Sequence, residues 1–191
     1  MRLTSSFFRR DARVVARELL GCVLVTVRDG ARTSGRIVET EAYLGVGDPA
    51  SHSHRGPSMR NAPMFLHGGH AYVYLIYGMY WCFNVVSGDE GEGEAVLIRA
   101  VEPLDGIEAM RARRGDRVRR DRDLANGPGK LVIALGIGPE HNNADLFSDP
   151  RVWLEAGETV PDALVRRTPR IGISRGVEHE WRYVAGDPGA R

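Results

Sequence analysis

The chain has 191 residues, 27% of them charged, and a formal net charge of only +1 at pH 7. That length holds one domain with a sizeable core or at most two very small ones, and the even spread of apolar segments favours one. A net charge this close to zero excludes a protein drawn to nucleic acid by its overall field, so any such attraction has to be local.

In chain order, Met1-Arg2-Leu3 runs directly into Thr4-Ser5-Ser6 and a charged, helix-like segment. Neither a signal peptide nor a membrane span is expected. Asp11 is placed to cap a short helix through Val14, Val15, Glu18, Leu19 and Leu20, with Gly21 as its stop. A strand Cys22–Val27, a turn at Asp29-Gly30 and a strand Ser34–Tyr43 read as a hairpin. Alternation along the second strand puts Glu39, Glu41 and Tyr43 on one face beside Ile37, and a row of carboxylates among apolar and aromatic residues points to chemistry. Residues 45–70 are rich in Gly, Pro, Ser and His without a sustained apolar period, which predicts a long irregular segment of the kind that often carries function.

Strands around Tyr72–Tyr77 and Tyr80–Ser87 then flank Tyr77-Gly78-Met79-Tyr80, a predicted hairpin tip that shows large side chains to solvent and suits entry into a stack of bases. After the acidic loop Gly88–Glu94, the strand Ala95–Val101 carries Arg99. An unpaired charge in so apolar a run would be strongly destabilising, so Arg99 needs a partner. Helices follow near Ile107–Arg114 and Pro128–Leu135, the proline sitting in a first turn where its missing donor does least harm. Short strands near Val152–Glu155, Arg170–Ser174 and Trp181–Val184 complete the pattern. The expected fold is α+β: a single mixed domain over residues 1–191, with a largely antiparallel curved sheet, flanking helices and a protruding aromatic β-hairpin.

Positive charge clusters at Arg111, Arg113, Arg114, Arg117, Arg119, Arg120 and Arg122, opposed only by Asp116 and Asp121. Such a segment is suited to holding phosphates, and equally to being a solvated face. Cys22 and Cys82 lie inside apolar runs and read as buried free thiols, which fits a reducing cytoplasm. Lys130 is the sole lysine, and no proline follows Met1 to supply an N-terminal amine, so Schiff-base chemistry has little to work with. Gly127-Pro128-Gly129-Lys130 instead offers backbone donors at a helix start.

The segments Glu39-Thr40-Glu41-Ala42-Tyr43-Leu44-Gly45 and Tyr77-Gly78-Met79-Tyr80 are long and unusual, and with them the chain resembles the alkyladenine (3-methyladenine) DNA glycosylases, the branch distinct from the helix-hairpin-helix enzymes. The likeness extends from Phe7-Phe8 and Ala16–Gly21 through Arg99–Leu104, Asp123-Leu124 and Gly127-Pro128 to Trp153-Leu154 and Pro169–Ile173. It therefore covers nearly the whole chain.

The resemblance implies a monofunctional enzyme that flips alkylated or deaminated purines out of duplex DNA and hydrolyses the glycosidic bond. No metal or cofactor is implied, and the partner is double-stranded DNA containing damaged purines, bound by a monomer in the cytoplasm. By resemblance Glu41 positions and activates the water, Arg99 partners Glu41 and the water, and the carbonyl of Ile171 is the water's third contact. Tyr43, His52 and Tyr74 would surround the extruded base, with Leu97 as a wall and Asn84 discriminating against guanine through its exocyclic amine. Tyr77 matches the intercalating residue, with Gly78 and Met79 beside it, while Arg113, Arg114, Lys130 and Gly172 are expected against DNA. Gly129 stands where the family often has serine, and the loop 52–61 is shorter than usual and carries an additional His54. A purely structural Glu–Arg pair and a merely structural hydrogen bond at Asn84 are the competing readings of those residues. For the whole chain the competitors are a non-catalytic binder of distorted DNA and a hydrolase of free nucleosides.

Overall fold

Three local signals start the fold where the sequence places them. Asp11 caps helix α2 (Ala12–Glu18), its carboxylate accepting from the Arg13 amide at 2.8 Å, and Gly21 follows the helix at φ 91°. Asp29 and Gly30, at φ 52° and 76°, make the tight left-handed turn that joins strand β1 (Val23–Arg28) to strand β2 (Ala31–Tyr43). This computed structural model describes residues 1–76, 78–115 and 118–186.

The other strands are β3 (Ala71–Ile76), β4 (Tyr80–Ser87), β5 (Glu94–Asp105), β6 (Val152–Glu155), β7 (Val165–Thr168) and β8 (Arg182–Ala185). They form one antiparallel sheet in the order β3-β4-β5-β2-β1-β6, with β8 joined to β2 and β7 to β8. Strand β2 organises the sheet because it is long enough to serve three neighbours. It pairs with β5 along one edge, and along the other with β1 through Ala31–Arg36 and with β8 through Glu39–Glu41.

Helices α1 (Ser5–Phe8), α2, α3 (Ile107–Arg114) and α4 (Pro128–Leu135) are the α-helices among the described residues, and none is long and apolar enough to cross a membrane. Val15 and Leu19 from α2 and its C-terminal end, and Leu131 and Leu135 from α4, bury against Leu24, Val96, Ile98 and Val101 of the sheet. Burying such side chains is worth about 1.5–3 kcal/mol each, so this shared core fixes the strands that carry the site. Entry into α3 needs Gly106, which adopts φ 71° and would place a Cβ 2.4 Å from the Arg32 carbonyl oxygen. Cys22 and Cys82 are both free and buried.

Two expectations change. The expected strand Arg170–Ser174 is irregular chain, and the strand in this region lies earlier, at β7. Pro169 closes β7, Arg170 turns its side chain into a buried ion pair, and Gly172 adopts φ 76°, a conformation no strand uses. The hairpin of β3 and β4 closes at Ile76 opposite Tyr80, with Gly78 at φ 67° and Met79 68% exposed. Tyr77, the expected aromatic tip, lies outside the described residues, as do Asp116 and Arg117.

Candidate active site

The site begins with two compensating irregularities in the pairing of β2 and β5. Ile37 pairs with Val101, Glu39 with Ala100 and Thr40 with Ile98, so Val38 is the extra residue on β2 and Arg99 the extra residue on β5. Bulges re-aim side chains, and here they bring a lone arginine onto a carboxylate row. Arg99 Nε donates to Glu39 Oε1 at 2.8 Å and Nη1 to Glu41 Oε2 at 3.2 Å. Arg182 Nε on β8 donates to the same Glu39 oxygen at 2.6 Å. Ile37, expected beside this row, instead joins the apolar core with Ala42, because the irregularity falls between it and Glu39.

Glu41 is fully buried. Its Oε2 also accepts from the Tyr43 hydroxyl at 2.9 Å, and its Oε1 from the Ile171 amide at 2.7 Å. Three donors thus meet a group with about four acceptor positions, which leaves room for one more. The contact with Ile171 runs through its N–H, whereas the resemblance implies a role for its carbonyl. Burial opposes the charged form of Arg99, but the Glu41 and Glu39 carboxylates outweigh it and raise the guanidinium's pKa. Burial, reinforced by Glu41, raises the Tyr43 phenol, so Tyr43 remains a donor to the carboxylate.

In front of Glu41 lies a cavity of about 160 Å³ whose lining includes Tyr43, Arg99, Ile171 and Gly172. Its walls come from β3 (Tyr72, Tyr74), β4 (Cys82, Asn84), β5 (Leu97) and the irregular loop that carries His52. Aromatic rings crowd one side: His52 meets Tyr74 edge-on at 4.5 Å, and Tyr72 lies 5.3 Å from Tyr74. His52 Nδ1 and the Tyr72 hydroxyl are hydrogen-bonded at 3.0 Å. Burial, then the nearby Arg60 charge, lowers the His52 pKa below its ordinary 6.5, and burial pushes the Tyr72 phenol up to about 12. Asn84 Nδ2 donates to the Tyr72 carbonyl at 3.1 Å, which orients the amide inside the cavity wall.

The cavity opens into a larger, mostly apolar groove of about 550 Å³, which shares Ile76, Cys82, Arg99, Pro128, Ile171 and Gly172 with it. Arg114 and Lys130 line the far side of that groove, and Arg119 and Arg120 lie beyond them. Tyr80 seats its ring on Gly129, where an added Cβ would come 3.3 Å from the ring. A larger residue there would need that half-exposed ring to shift slightly. Arg113 is not brought to the groove. Its Nη1 donates to the Ala134 carbonyl at 3.0 Å and to Thr33 Oγ1 at 3.3 Å. Arg114 Nε donates to the Leu124 carbonyl at 3.0 Å, and Lys130 Nζ to Asn126 Oδ1 at 2.8 Å.

Tyr43, His52, Tyr74, Asn84, Leu97, Arg99, Ile171 and Gly172 therefore meet at one cavity, with Glu41 behind it. Sequence reasoning missed Tyr72, Cys82, Asp48, Arg170 and Arg182. The first was within reach, since Tyr72 and Tyr74 stand two apart on a strand and share a face.

The arrangement is a buried carboxylate behind an aromatic cavity that opens on a mostly apolar groove edged by Arg114 and Lys130. Sequence comparison gives the class directly: the model of the methylpurine-DNA glycosylases matches residues 6–188, and the chain belongs to that family of hydrolases acting on N-glycosyl bonds. A protein of Chlorobaculum parvum is 46% identical over 98% of this chain and 89% of its own length, and one of Methanoculleus marisnigri is 48% identical over 96% and 94%. A third, of Carboxydothermus hydrogenoformans, is 44% identical over 96% and 94%; each of the three bears the name "Putative 3-methyladenine DNA glycosylase".

Proposed function

We propose that this DNA glycosylase is monofunctional and acts on alkylated or deaminated purines of the 3-methyladenine, 7-methylguanine, hypoxanthine and ethenoadenine class. The observation that carries the reading is Glu41, fully buried yet bonded to three groups that line the aromatic cavity. The nucleotide leaves the duplex and its base enters the cavity, at an unpairing cost smallest for damaged bases. Electron-poor, often cationic purines stack well on the rings of Tyr43, Tyr74 and His52. Asn84, held by its bond to the Tyr72 carbonyl, is the residue assigned to discriminate against guanine through its exocyclic amine.

Bond cleavage develops positive charge on the sugar. A carboxylate nearby stabilises that charge and takes a proton from the attacking water. Arg99, Tyr43 and the Ile171 amide each donate to Glu41 and leave one acceptor position for the water. With a single lysine in the chain, bonded to Asn126 at the outer groove, this reading gives the completion of the reaction to water rather than to a Schiff base. Arg114, Lys130 and the arginines beyond them follow the phosphates, and Tyr77 with Gly78 and Met79 is assigned to fill the gap left in the stack.

A duplex carrying one hypoxanthine or ethenoadenine tests this. Wild-type protein should leave an alkali-labile abasic site and no strand cut before alkali. Glu41→Gln should bind the same duplex but release base ~10²–10⁴-fold more slowly. Binding with no abasic product from wild type would make the chain a non-catalytic binder, and a Glu41→Gln rate within about threefold of wild type (roughly 0.65 kcal/mol of barrier) would reject the carboxylate's role.

A further inference from the structure

The second buried ion pair near the site has no part in the chemistry of Glu41 and the water. Arg170 and Asp48 have side-chain exposures of 0% each. Arg170 Nη1 donates to Asp48 Oδ2 at 2.6 Å and to the Ala42 carbonyl at 3.0 Å, and Nη2 donates to Asp48 Oδ1 at 2.8 Å. Its guanidinium carbon lies 4.7 Å from the centre of the Tyr43 ring and 4.9 Å from that of Trp181, while Nε has no hydrogen-bond partner among the described residues. Asp48 in turn accepts from the amides of Leu44 and Ala50, both at 3.1 Å. A buried pair of this kind is a weak source of stability, because desolvating two charges offsets most of their attraction. Its placement is more telling.

Three of the contacts of this pair adjoin a donor of Glu41. Ala42 lies between Glu41 and Tyr43, the Tyr43 ring rests on the guanidinium, and the Ile171 amide is the next peptide after Arg170. Asp48 sits at the root of the loop that delivers His52 to the cavity. We infer that Arg170 and Asp48 are positioning residues for base excision: their clamp seats the Ile171 N–H and the Tyr43 hydroxyl on Glu41 and ties the base-binding loop to the carboxylate. The inference rests on Glu41 acting on the water. A bidentate arginine suits the task, since a planar fork between two rings fixes direction as well as charge, and lysine supplies only the charge.

The test compares Arg170→Lys and Asp48→Asn with Val152→Ala, a core change on the remote strand β6. If the clamp positions Glu41, Arg170→Lys should slow single-turnover excision about tenfold or more, within the range expected for misdirected general-base help. Affinity for a duplex bearing a tetrahydrofuran abasic analogue should stay near wild type. Excision thus falls while binding holds, a split that a general loss of stability does not produce.

Asp48→Asn should slow excision with binding retained in the same way, and it decides the matter if Arg170→Lys fails to fold. Val152→Ala should lower Tm while leaving excision and binding where they were. Clamp variants that melt earlier yet keep the wild-type rate would overturn the inference. That result alongside an inactive Glu41→Gln sinks the clamp alone, whereas an active Glu41→Gln sinks the reading of Glu41 beneath it.

Discussion

The arginines of the site and those of residues 111–122 make an instructive contrast. In the charged segment, Arg111 pairs with Asp121 and Arg120 with Asp123 at 2.7 Å, both on the surface. Arg113 and Arg114 turn back to helix and loop carbonyls, where they close the ends of local structure. Around the cavity Arg99, Arg170 and Arg182 have side-chain exposures of 13%, 0% and 17%, and each meets a carboxylate from another element. A cluster of like charge can stay in water at little cost and pair with whatever acid is near. A lone arginine in an apolar run has to be matched by a specific buried partner, and so marks a place where the fold spends stability on geometry.

The largest expected effect breaks the site side of this contrast. Arg99→Ala leaves the buried Glu41 and the partly buried Glu39 without their shared cation, a change that costs about 3–5 kcal/mol in buried pairs. Tm and single-turnover excision should both fall. Normal melting and normal excision together would mean that the bulge merely places a spare charge there.

The next effect sharpens the surface side, where neighbouring arginines should behave oppositely. Arg113→Ala should cost roughly 1–3 kcal/mol, because it strands the Ala134 carbonyl near the end of α4, while the salt dependence of DNA binding stays the same. Lys130→Ala and Arg119→Ala should leave stability within about 0.5 kcal/mol. Each should lower the slope of log affinity against log salt by roughly 0.9 for every phosphate that the native side chain neutralises. Denaturant melts and a salt titration of binding decide this, and a slope untouched by Lys130→Ala would remove the outer groove from the DNA path.

Much of the fold is legible in the sequence because its signals are local. The cap at Asp11, the Asp29-Gly30 turn, the proline opening α4 and the apolar runs each act within a few residues. Part of the site is legible too, since alternation puts Glu39, Glu41 and Tyr43 on one face and the apolar run around Arg99 demands a partner, whereas Tyr74, Asn84 and Leu97 come only through the resemblance to the glycosylase family. What escapes is non-local or breaks the alternation. Paired bulges carry Ile37 into the core and free Arg99 to turn, and no spacing rule announces them. The Arg170–Asp48 pair joins residues 122 positions apart, and the apolar run Ile171-Gly172-Ile173 looks like a strand until Gly172 takes a left-handed turn.

The smallest effect extends the contrast to titration. His52 and Asp123 both have lowered pKa values, but for different reasons. His52 is lowered chiefly by burial, whereas Asp123 is partly exposed and lowered first by its hydrogen bond from Arg120. Each makes a stability contribution that acid removes. For His52, native protein prefers the neutral ring, so the contribution is complete above 6.5 and is lost as pH falls from there through the folded pKa. His141 is lowered by burial too and titrates in the same window, so the difference between wild type and His52→Asn isolates the share of His52. For Asp123 the contribution is present above 3.8 and fades as pH drops through its lowered value. Salt separates the two causes. At about 1 M the screening length is ~3 Å, so the Asp123 shift should shrink while the His52 shift, which arises mainly from desolvation, persists. Titrations followed by NMR at low and high salt read both groups in one sample. A His52 pKa that returns to 6.5 at high salt would show the Arg60 charge, and not burial, in control, and the base cavity would then be wetter than its lining implies.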